Sequence, residues 1–309
     1  MTIILALVPA YAFYYPLFMA YMWMVGALHY YFHYERKDPP REQPPALDYP
    51  PISVVVPCFN EAENVRDTLR YALSLDYPEF EVIAVNDGSK DKTGEILNEL
   101  AAANPRLRVV HQARNQGKAV ALNTALVISR YEHLVCIDGD AVLDRYAAKW
   151  LMRHFVLSPR VGAVTGNPRI RNRSTLLGKL QVGEFTAIIG LIKRAQRTYG
   201  RLFTVSGVLS AFRKTAIYQA GYWSEDMLTE DIDISWKIQL KHWDVRFEPR
   251  ALVWILMPET LRGLWKQRLR WAKGGTQALM RNARVLSTGG TGACGRFMPS
   301  ISSASSGHT

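Results

Sequence analysis

Tyr131-Glu132-His133-Leu134-Val135-Cys136-Ile137-Asp138-Gly139-Asp140 is the stretch on which the architecture turns. The apolar run ending at Ile137 reads as a largely buried strand, so Asp138 and Asp140 fall just past its carboxyl end. In open α/β sheets, ligands bind at that end. Two carboxylates separated by one Gly can turn toward a single point. Hard oxygen donors joined by a bound diphosphate suit Mg2+ better than an all-protein cage. A plain turn is the competing reading, since Asp and Gly are common after strands.

Working outward, earlier strands end the same way. Glu81-Val82-Ile83-Ala84-Val85-Asn86 runs into Asp87-Gly88-Ser89-Lys90-Asp91-Lys92-Thr93, and a helix pattern follows from Gly94 to Ala103. Before it, Ile52-Ser53-Val54-Val55-Val56-Pro57 ends in Cys58-Phe59-Asn60-Glu61, with Asn60 expected to cap a helix running to Leu75. Strand, helix, strand, helix, strand predicts an α/β fold with a parallel sheet. Right-handed crossovers then gather the three polar loops along one edge, where a nucleotide can sit.

The ordered set Pro57-Cys58-Phe59-Asn60-Glu61, Asn86-Asp87-Gly88-Ser89, Asn115-Gln116-Gly117-Lys118, Asp138-Gly139-Asp140, Thr229-Glu230-Asp231 and Gln267-Arg268-Leu269-Arg270-Trp271 resembles the family 2 glycosyltransferases of the membrane-embedded, processive kind. Among these, the chain looks most like the bacterial poly-N-acetylglucosamine synthases, with hyaluronan, chitin and cellulose synthases as relatives. The resemblance covers residues 50 to 285. It implies a GT-A-like, Rossmann-like domain over residues 52–258 that transfers N-acetylglucosamine from UDP to a growing β-linked polysaccharide with inversion. Other UDP-sugar polymers, a lipid-phosphate acceptor, or an inactive truncated subunit are the alternatives.

The same resemblance assigns roles. Pro57, Asn60, Glu61 and Asp87 line the nucleotide pocket. Lys118 meets base or diphosphate, although a solvated lysine reads equally well from chemistry alone. Asp138 and Asp140 hold ribose and a Mg2+ or Mn2+ ion. Asp231, beside Glu230, is the catalytic base. Inverting transfer needs one carboxylate to take the acceptor proton, and a metal that steadies the leaving diphosphate removes the need for a second acid. A capped acidic helix start, with Thr229 as cap and Glu230, Asp231 and Asp233 on the positive dipole end, explains the same residues and is compatible with the base. Ser206 and Gly207, in a small-residue strand-like run, fall near the acceptor. A packing bend is the other reading there.

Gln267, Arg270 and Trp271 lie in a segment with apolar residues at helical spacing and many cations, read as an amphipathic interface helix over 259–288. Its indole offers a flat face to a sugar, and Arg270 and Gln267 can contact diphosphate or acceptor.

The 309 residues carry a formal net charge of +11, which suits anionic lipid and nucleotide diphosphate, while no nucleic-acid fold signature is present. No Asp, Glu, Lys or Arg precedes Glu35, and Ile3 to Leu28 is nearly all apolar. We read residues 1–34 as a transmembrane anchor, since a span needs roughly 20 apolar residues. Tyr30, Tyr31, Phe32 and Tyr34 make an interfacial belt, and Arg36, Lys37 and Arg41 place the catalytic part on the cytoplasmic side of a bacterial inner membrane. Residues 35–51 form a Pro-rich linker. The 3 cysteines and 7 histidines show no metal or disulfide spacing. The Ser-rich stretch 289–309 reads as a disordered tail. It stands where related synthases continue with further spans, so either the product is truncated or frameshifted, or an additional membrane subunit supplies them.

Overall fold

The computed structural model describes residues 2–38 and 43–283. The tail, the end of the expected interface helix and the middle of the linker lie outside them. In chain order the elements are α1 (Thr2–Tyr30), β1 (Ile52–Cys58), α2 (Val65–Leu73), β2 (Phe80–Asn86), α3 (Thr93–Ala103), β3 (Leu107–His111), α4 (Lys118–Ile128), β4 (His133–Ile137) and β5 (Val142–Leu143). These are followed by α5 (Ala147–Leu157), β6 (Val161–Ile170), α6 (Leu176–Phe185), α7 (Lys193–Tyr199), β7 (Leu209–Arg213), α8 (Lys214–Ala220), α9 (Glu230–Leu240), β8 (Asp244–Ile255) and α10 (Leu261–Arg281).

The strands form one eight-stranded sheet in the order β3-β2-β1-β4-β7-β6-β8-β5. Its first half is parallel, as expected, with Cys58 beside Asn86 and Val55 beside Cys136. Both faces of these strands are covered, which is why their residues read as unbroken apolar runs. Val54, Val56, Val82, Ala84, Val135 and Ile137 pack against Val65 and Leu69 of α2, Leu97 of α3 and Leu151 of α5. Val55, Ile83, Val85, Leu134 and Cys136 face Ala121, Leu122 and Leu126 of α4. Strand order reverses between β1 and β4, and the crevice at their carboxyl ends is where such sheets bind ligands. The second half is mixed, since β7 runs antiparallel to β4 and β6 while β8 runs parallel to β6.

α1 packs along α7. Gly26 makes this close approach workable: a Cβ there would stand 2.6 Å from the Tyr199 ring and 2.8 Å from Ala195 Cβ. Thr198 Oγ1 donates to Gly26 O at 2.9 Å, and Tyr199 OH donates to Met22 O at 2.6 Å. A π-helical turn, Tyr31–Glu35, continues α1, and Glu35 pairs with Arg194 at 2.9 Å. From Val8 onward the outer face is apolar and exposed at Tyr11, Phe13, Tyr14, Phe18, Tyr21 and Val25. Tyr, His and Pro dilute that stretch, and among the described residues no helix is long and apolar enough to cross a membrane. Of the expected aromatic belt, Tyr31, Phe32 and Tyr34 are exposed, but Tyr30 is buried against the domain. The linker's end is docked as well: Tyr49 is buried and its hydroxyl donates to Pro45 O at 2.7 Å.

Two local expectations are corrected. Asn60 does not cap α2, which begins at Val65 with Asn64 before it. Asn60 instead adopts a left-handed backbone (φ 56°), and its side-chain oxygen accepts the Lys90 N–H at 2.9 Å. Asn tolerates that conformation because its short amide bonds locally, here to the next strand's loop. Thr229 does precede α9, but its hydroxyl makes no capping bond.

Candidate active site

The exits of β1, β2 and β4 converge on one crevice. Gly139 is seated against the exit of β1, where a Cβ would meet Glu61 Cγ at 3.0 Å and Pro57 O at 3.1 Å. Thr68 Oγ1 donates to its carbonyl at 2.9 Å. Asp138 and Asp140 are thereby held on either side of a pinned glycine. Burial, then the Asp138 charge, pushes the Asp140 carboxyl above its usual range. Glu61 is raised by burial and, against a bond from Asn64, by the charges of Asp140, Asp138 and Asp91. Crowded carboxylates that resist ionising are a favourable seat for a cation.

Among the described residues no group of three or more His, Cys, Asp or Glu side chains is arranged to hold a metal by itself. Mg2+ and similar ions are usually held by one or two carboxylates plus substrate phosphates. Asp138 and Asp140 fit an ion that arrives with a diphosphate.

Asp87, at the exit of β2, is buried, and its two oxygens accept the Gln116 and Gly117 amides at 2.8 Å and 2.8 Å. Its observed task is to fix the loop that opens α4. Gly117 has φ 95°, a turn that an L side chain would strain, and it delivers Lys118 into the crevice. Lys118 Nζ lies 2.5 Å from Asp138 Oδ1, 3.0 Å from Glu230 Oε1 and 3.1 Å from Gly207 O. Burial opposes its charge, but Asp138, Glu230 and Asp231 outweigh burial and hold the ammonium above its ordinary pKa. The lysine is therefore a fixed cation joining two acidic motifs.

Glu230 and Asp231 form the first turn of α9. Asp231 Oδ2 accepts the Gly207 N–H at 3.2 Å, Oδ1 accepts that of Ile232 at 2.9 Å, and Ser235 Oγ donates to the Asp231 carbonyl at 2.6 Å. Burial, then the Glu230 charge, pushes Asp231 up to about 6. Glu230 moves the other way: against burial, Lys118, a backbone amide and Arg270 keep it ionised. Neighbouring carboxylates with separated pKa values divide the work, one fixed as an anion and one poised near neutrality to exchange a proton.

A Cβ on Gly207 would stand 3.2 Å from Lys118 Nζ and 3.3 Å from Asp231 Oδ2, so a side chain at this position would intrude on the centre. The Ser206 backbone is tied down beside it: its N–H donates to Thr165 Oγ1 at 2.8 Å, and its carbonyl accepts Ser210 Oγ at 2.7 Å.

α10 lies across α9. Its buried Gly274 packs directly on Thr229, leaving no room for a Cβ. Gln277 accepts the Leu228 N–H at 3.2 Å and donates to Asp226 O at 2.8 Å. Trp271 packs against Phe185 with ring centroids 6.2 Å apart, and the Arg268 guanidinium covers it at 4.3 Å. Gln267 accepts a bond from Arg268 at 3.3 Å. Arg270 is exposed, and its charge reaches Glu230.

Asp138, Lys118, Glu230, Asp231 and Gly207 thus share one hydrogen-bonded cluster, with Asp140, Glu61 and Pro57 around Gly139 next to Asp138 and with α10 packed on α9. Sequence reasoning missed Thr165, which is fully buried and holds the segment before Gly207. It lies inside β6, and nothing in the local pattern distinguishes it from a filler of the core.

The model of the family described as glycosyltransferase like family 2 matches residues 50–274. The chain belongs to that family. It is 45% identical over 273 residues to the poly-beta-1,6-N-acetyl-D-glucosamine synthase of Staphylococcus epidermidis, covering 87% of this chain and 66% of the relative. The synthase of Staphylococcus aureus strain COL is 42% identical over 271 residues, with the same coverage of 87% and 66%. The chain therefore spans slightly less than two thirds of the length of these relatives. The glycosyltransferase domain also resembles a solved mannosyltransferase from Pyrobaculum calidifontis in complex with GDP-Man and Mn2+, with TM-score 0.66, 25% identity, and coverage of 90% of this chain and 76% of that one. Staphylococcus aureus TarS (residues 1–349) shares the fold with TM-score 0.52 at 20% identity, over 66% of this chain and 60% of that one. These matches support a GT-A-like α/β fold with a mixed sheet.

Proposed function

We propose that the chain transfers N-acetylglucosamine from UDP-N-acetylglucosamine to the end of a growing β-linked glycan, with inversion. The observation that carries this reading is the Asp231 carboxylate, raised toward neutrality and aligned by the Gly207 amide beside the Lys118 bridge to Asp138. The names of the synthases that resemble this chain support the choice of sugar.

In the proposed reaction an acceptor hydroxyl attacks the anomeric carbon of the donor. The new C–O bond forms as the bond from that carbon to the diphosphate oxygen breaks. Asp231 takes the hydroxyl proton, and UDP departs with the bonding pair. Glu230, kept ionised, and Lys118 hold the cluster's charge arrangement while this happens. A divalent ion held by Asp138, Asp140 and the diphosphate would offset charge on the departing phosphates. Pro57, Asn60, Glu61 and Asp87 are assigned to the nucleotide side. Ser206, Gly207, Gln267, Arg270 and Trp271 are assigned to the acceptor and diphosphate side. Trp271 is half-buried between Phe185 and the Arg268 guanidinium, so the part of the indole left open is assigned to a sugar.

We further assign α1 to the membrane and the catalytic domain to its cytoplasmic face. The charge-free sequence before Glu35 and the exposed apolar face from Val8 support this, and 29 helical residues reach about 43 Å at roughly 1.5 Å each. The exposed Leu261, Trp265 and Leu269 of α10, interleaved with Arg262, Lys266 and Arg270, suit a headgroup layer.

Incubating the full chain in membranes with labelled UDP-N-acetylglucosamine, UDP-glucose and UDP-glucuronate, with and without EDTA, tests the reading. It predicts EDTA-sensitive incorporation of N-acetylglucosamine into a β-linked product. Incorporation of another sugar in its place, or an α-linked product, would overturn it.

A further inference from the structure

Lys193, on α7, is 4% exposed, and its Nζ donates to Thr165 Oγ1 at 3.1 Å. Its ammonium sits 5.9 Å from the Phe247 ring centroid, and that hydrogen bond is its one side-chain bond among the described residues. Burying a lysine in such surroundings is costly, and a packing task alone would suit Met or Leu. Burial draws its pKa down to about 7 against the pull of Asp231. What the residue gains is the Thr165 hydroxyl, which also accepts the Ser206 N–H at 2.8 Å. The neighbouring Val205 N–H goes to Ser235 Oγ at 2.8 Å, and the neighbouring Gly207 N–H goes to Asp231 at 3.2 Å. Three consecutive amides are thus fixed by β6, by α9 and by the base.

We infer that Lys193 is a positioning residue for the base: by orienting the Thr165 hydroxyl it holds residues 205–207 in place, so that the Gly207 amide stays on Asp231. This rests on the reading of Asp231 as the base. Lys193 and Thr165 are buried, lie outside the residues assigned to donor and acceptor, and act through the same oxygen. Their removal should therefore lower kcat without changing KM for the nucleotide sugar, and the two losses should not multiply.

The experiment measures kcat and KM for UDP-N-acetylglucosamine in the full chain carrying Lys193→Met, Thr165→Val, both together, or Thr165→Ser. Asp231→Asn and thermal unfolding serve as controls. The inference predicts that kcat falls about tenfold in each single variant and no further in the double, at unchanged KM, while Thr165→Ser stays within about twofold of the parent. If Lys193→Met does not fold, the comparison of Thr165→Val with Thr165→Ser decides. Equal loss in those two variants, losses that multiply, or a kcat within about twofold of the parent in Thr165→Val would overturn the inference. Asp231→Asn that retains transfer would instead overturn the base assignment itself.

Discussion

Lys118 Nζ stands 3.0 Å from Glu230 Oε1 while also holding Asp138 at 2.5 Å, so one ammonium joins the parallel half of the sheet to α9, the helix that carries Asp231. A purely structural ion pair could be exchanged for apolar residues at little cost. Here the cation also lowers the proton affinity of Asp231, against burial and the Glu230 charge.

That coupling fixes the pH dependence. A base must be unprotonated to accept the acceptor proton, and Asp231 is pushed up to about 6. The rate should therefore fall as pH drops through that value, with a slope near one decade per unit. Removing the Lys118 charge lets Asp231 rise further, so Lys118→Met should move the acid limb of kcat to higher pH. A limb that stays in place or moves to lower pH would contradict the coupling.

The metal assignment predicts separable effects. EDTA should stop transfer, and Mn2+ or Mg2+ should restore it. Asp140→Asn should weaken Mn2+ binding in the presence of UDP by more than about tenfold in calorimetry, since even groups that only orient a metal ligand cost about 10- to 100-fold. Unchanged Mn2+ affinity in that variant would remove Asp140 from the ligand set.

The docking of α10 is tested at Gly274. Its packing on Thr229 leaves no space for a methyl group, and overpacking of this kind costs about 1–3 kcal/mol. Gly274→Ala should displace α10 from α9 and reduce polymer synthesis severalfold, with the thermal unfolding of the core little changed. Normal synthesis by this variant would show that α10 is not held where the account needs it.

His133 provides a stability test away from the chemistry. It is 7% exposed, packs on Phe155 at 5.1 Å, and neither ring nitrogen finds a partner among the described residues. Burial, then the Arg213 charge, lowers its pKa from 6.5 to about 4. Unfolded chains bind a proton there below about 6.5 while the folded protein stays neutral, so stability is full above that pH and is lost as pH falls toward 4. The loss amounts to about 3 kcal/mol across that window. His133→Leu should flatten the decline of the unfolding midpoint between pH 7 and pH 4.5, and an equally steep decline would show that other groups account for it.

The first half of the fold was legible because its strands are buried on both faces and end in polar loops, a pattern that local sequence carries. Asp138 and Asp140 were placed past β4 by the same pattern, whereas Asp231 was singled out by the resemblance of Thr229-Glu230-Asp231 and by the acidic start of a helix. Features that depend on distant segments were not. Asn60 looks like a cap, yet its amide bonds to Lys90 of the next strand's loop. Thr229 looks like a cap too, but Gly274 of α10 packs on it. Asp87 reads as a ligand-facing carboxylate, but nothing local shows that its oxygens also accept the amides of Gln116 and Gly117, 29 and 30 residues on. The mixed half of the sheet was equally hidden, because β7 finds its antiparallel place between β4 and β6 through contacts that no single stretch announces.

The most direct measurement is transfer of labelled N-acetylglucosamine by the full chain carrying Asp231→Asn, run beside its binding of UDP-N-acetylglucosamine. The asparagine keeps the size and one oxygen to accept either the Gly207 or the Ile232 amide, but cannot take a proton. The account predicts donor binding within about twofold of the parent and a rate reduced by at least about a hundredfold. A rate near that of the parent would contradict it and leave the proton with some other acceptor.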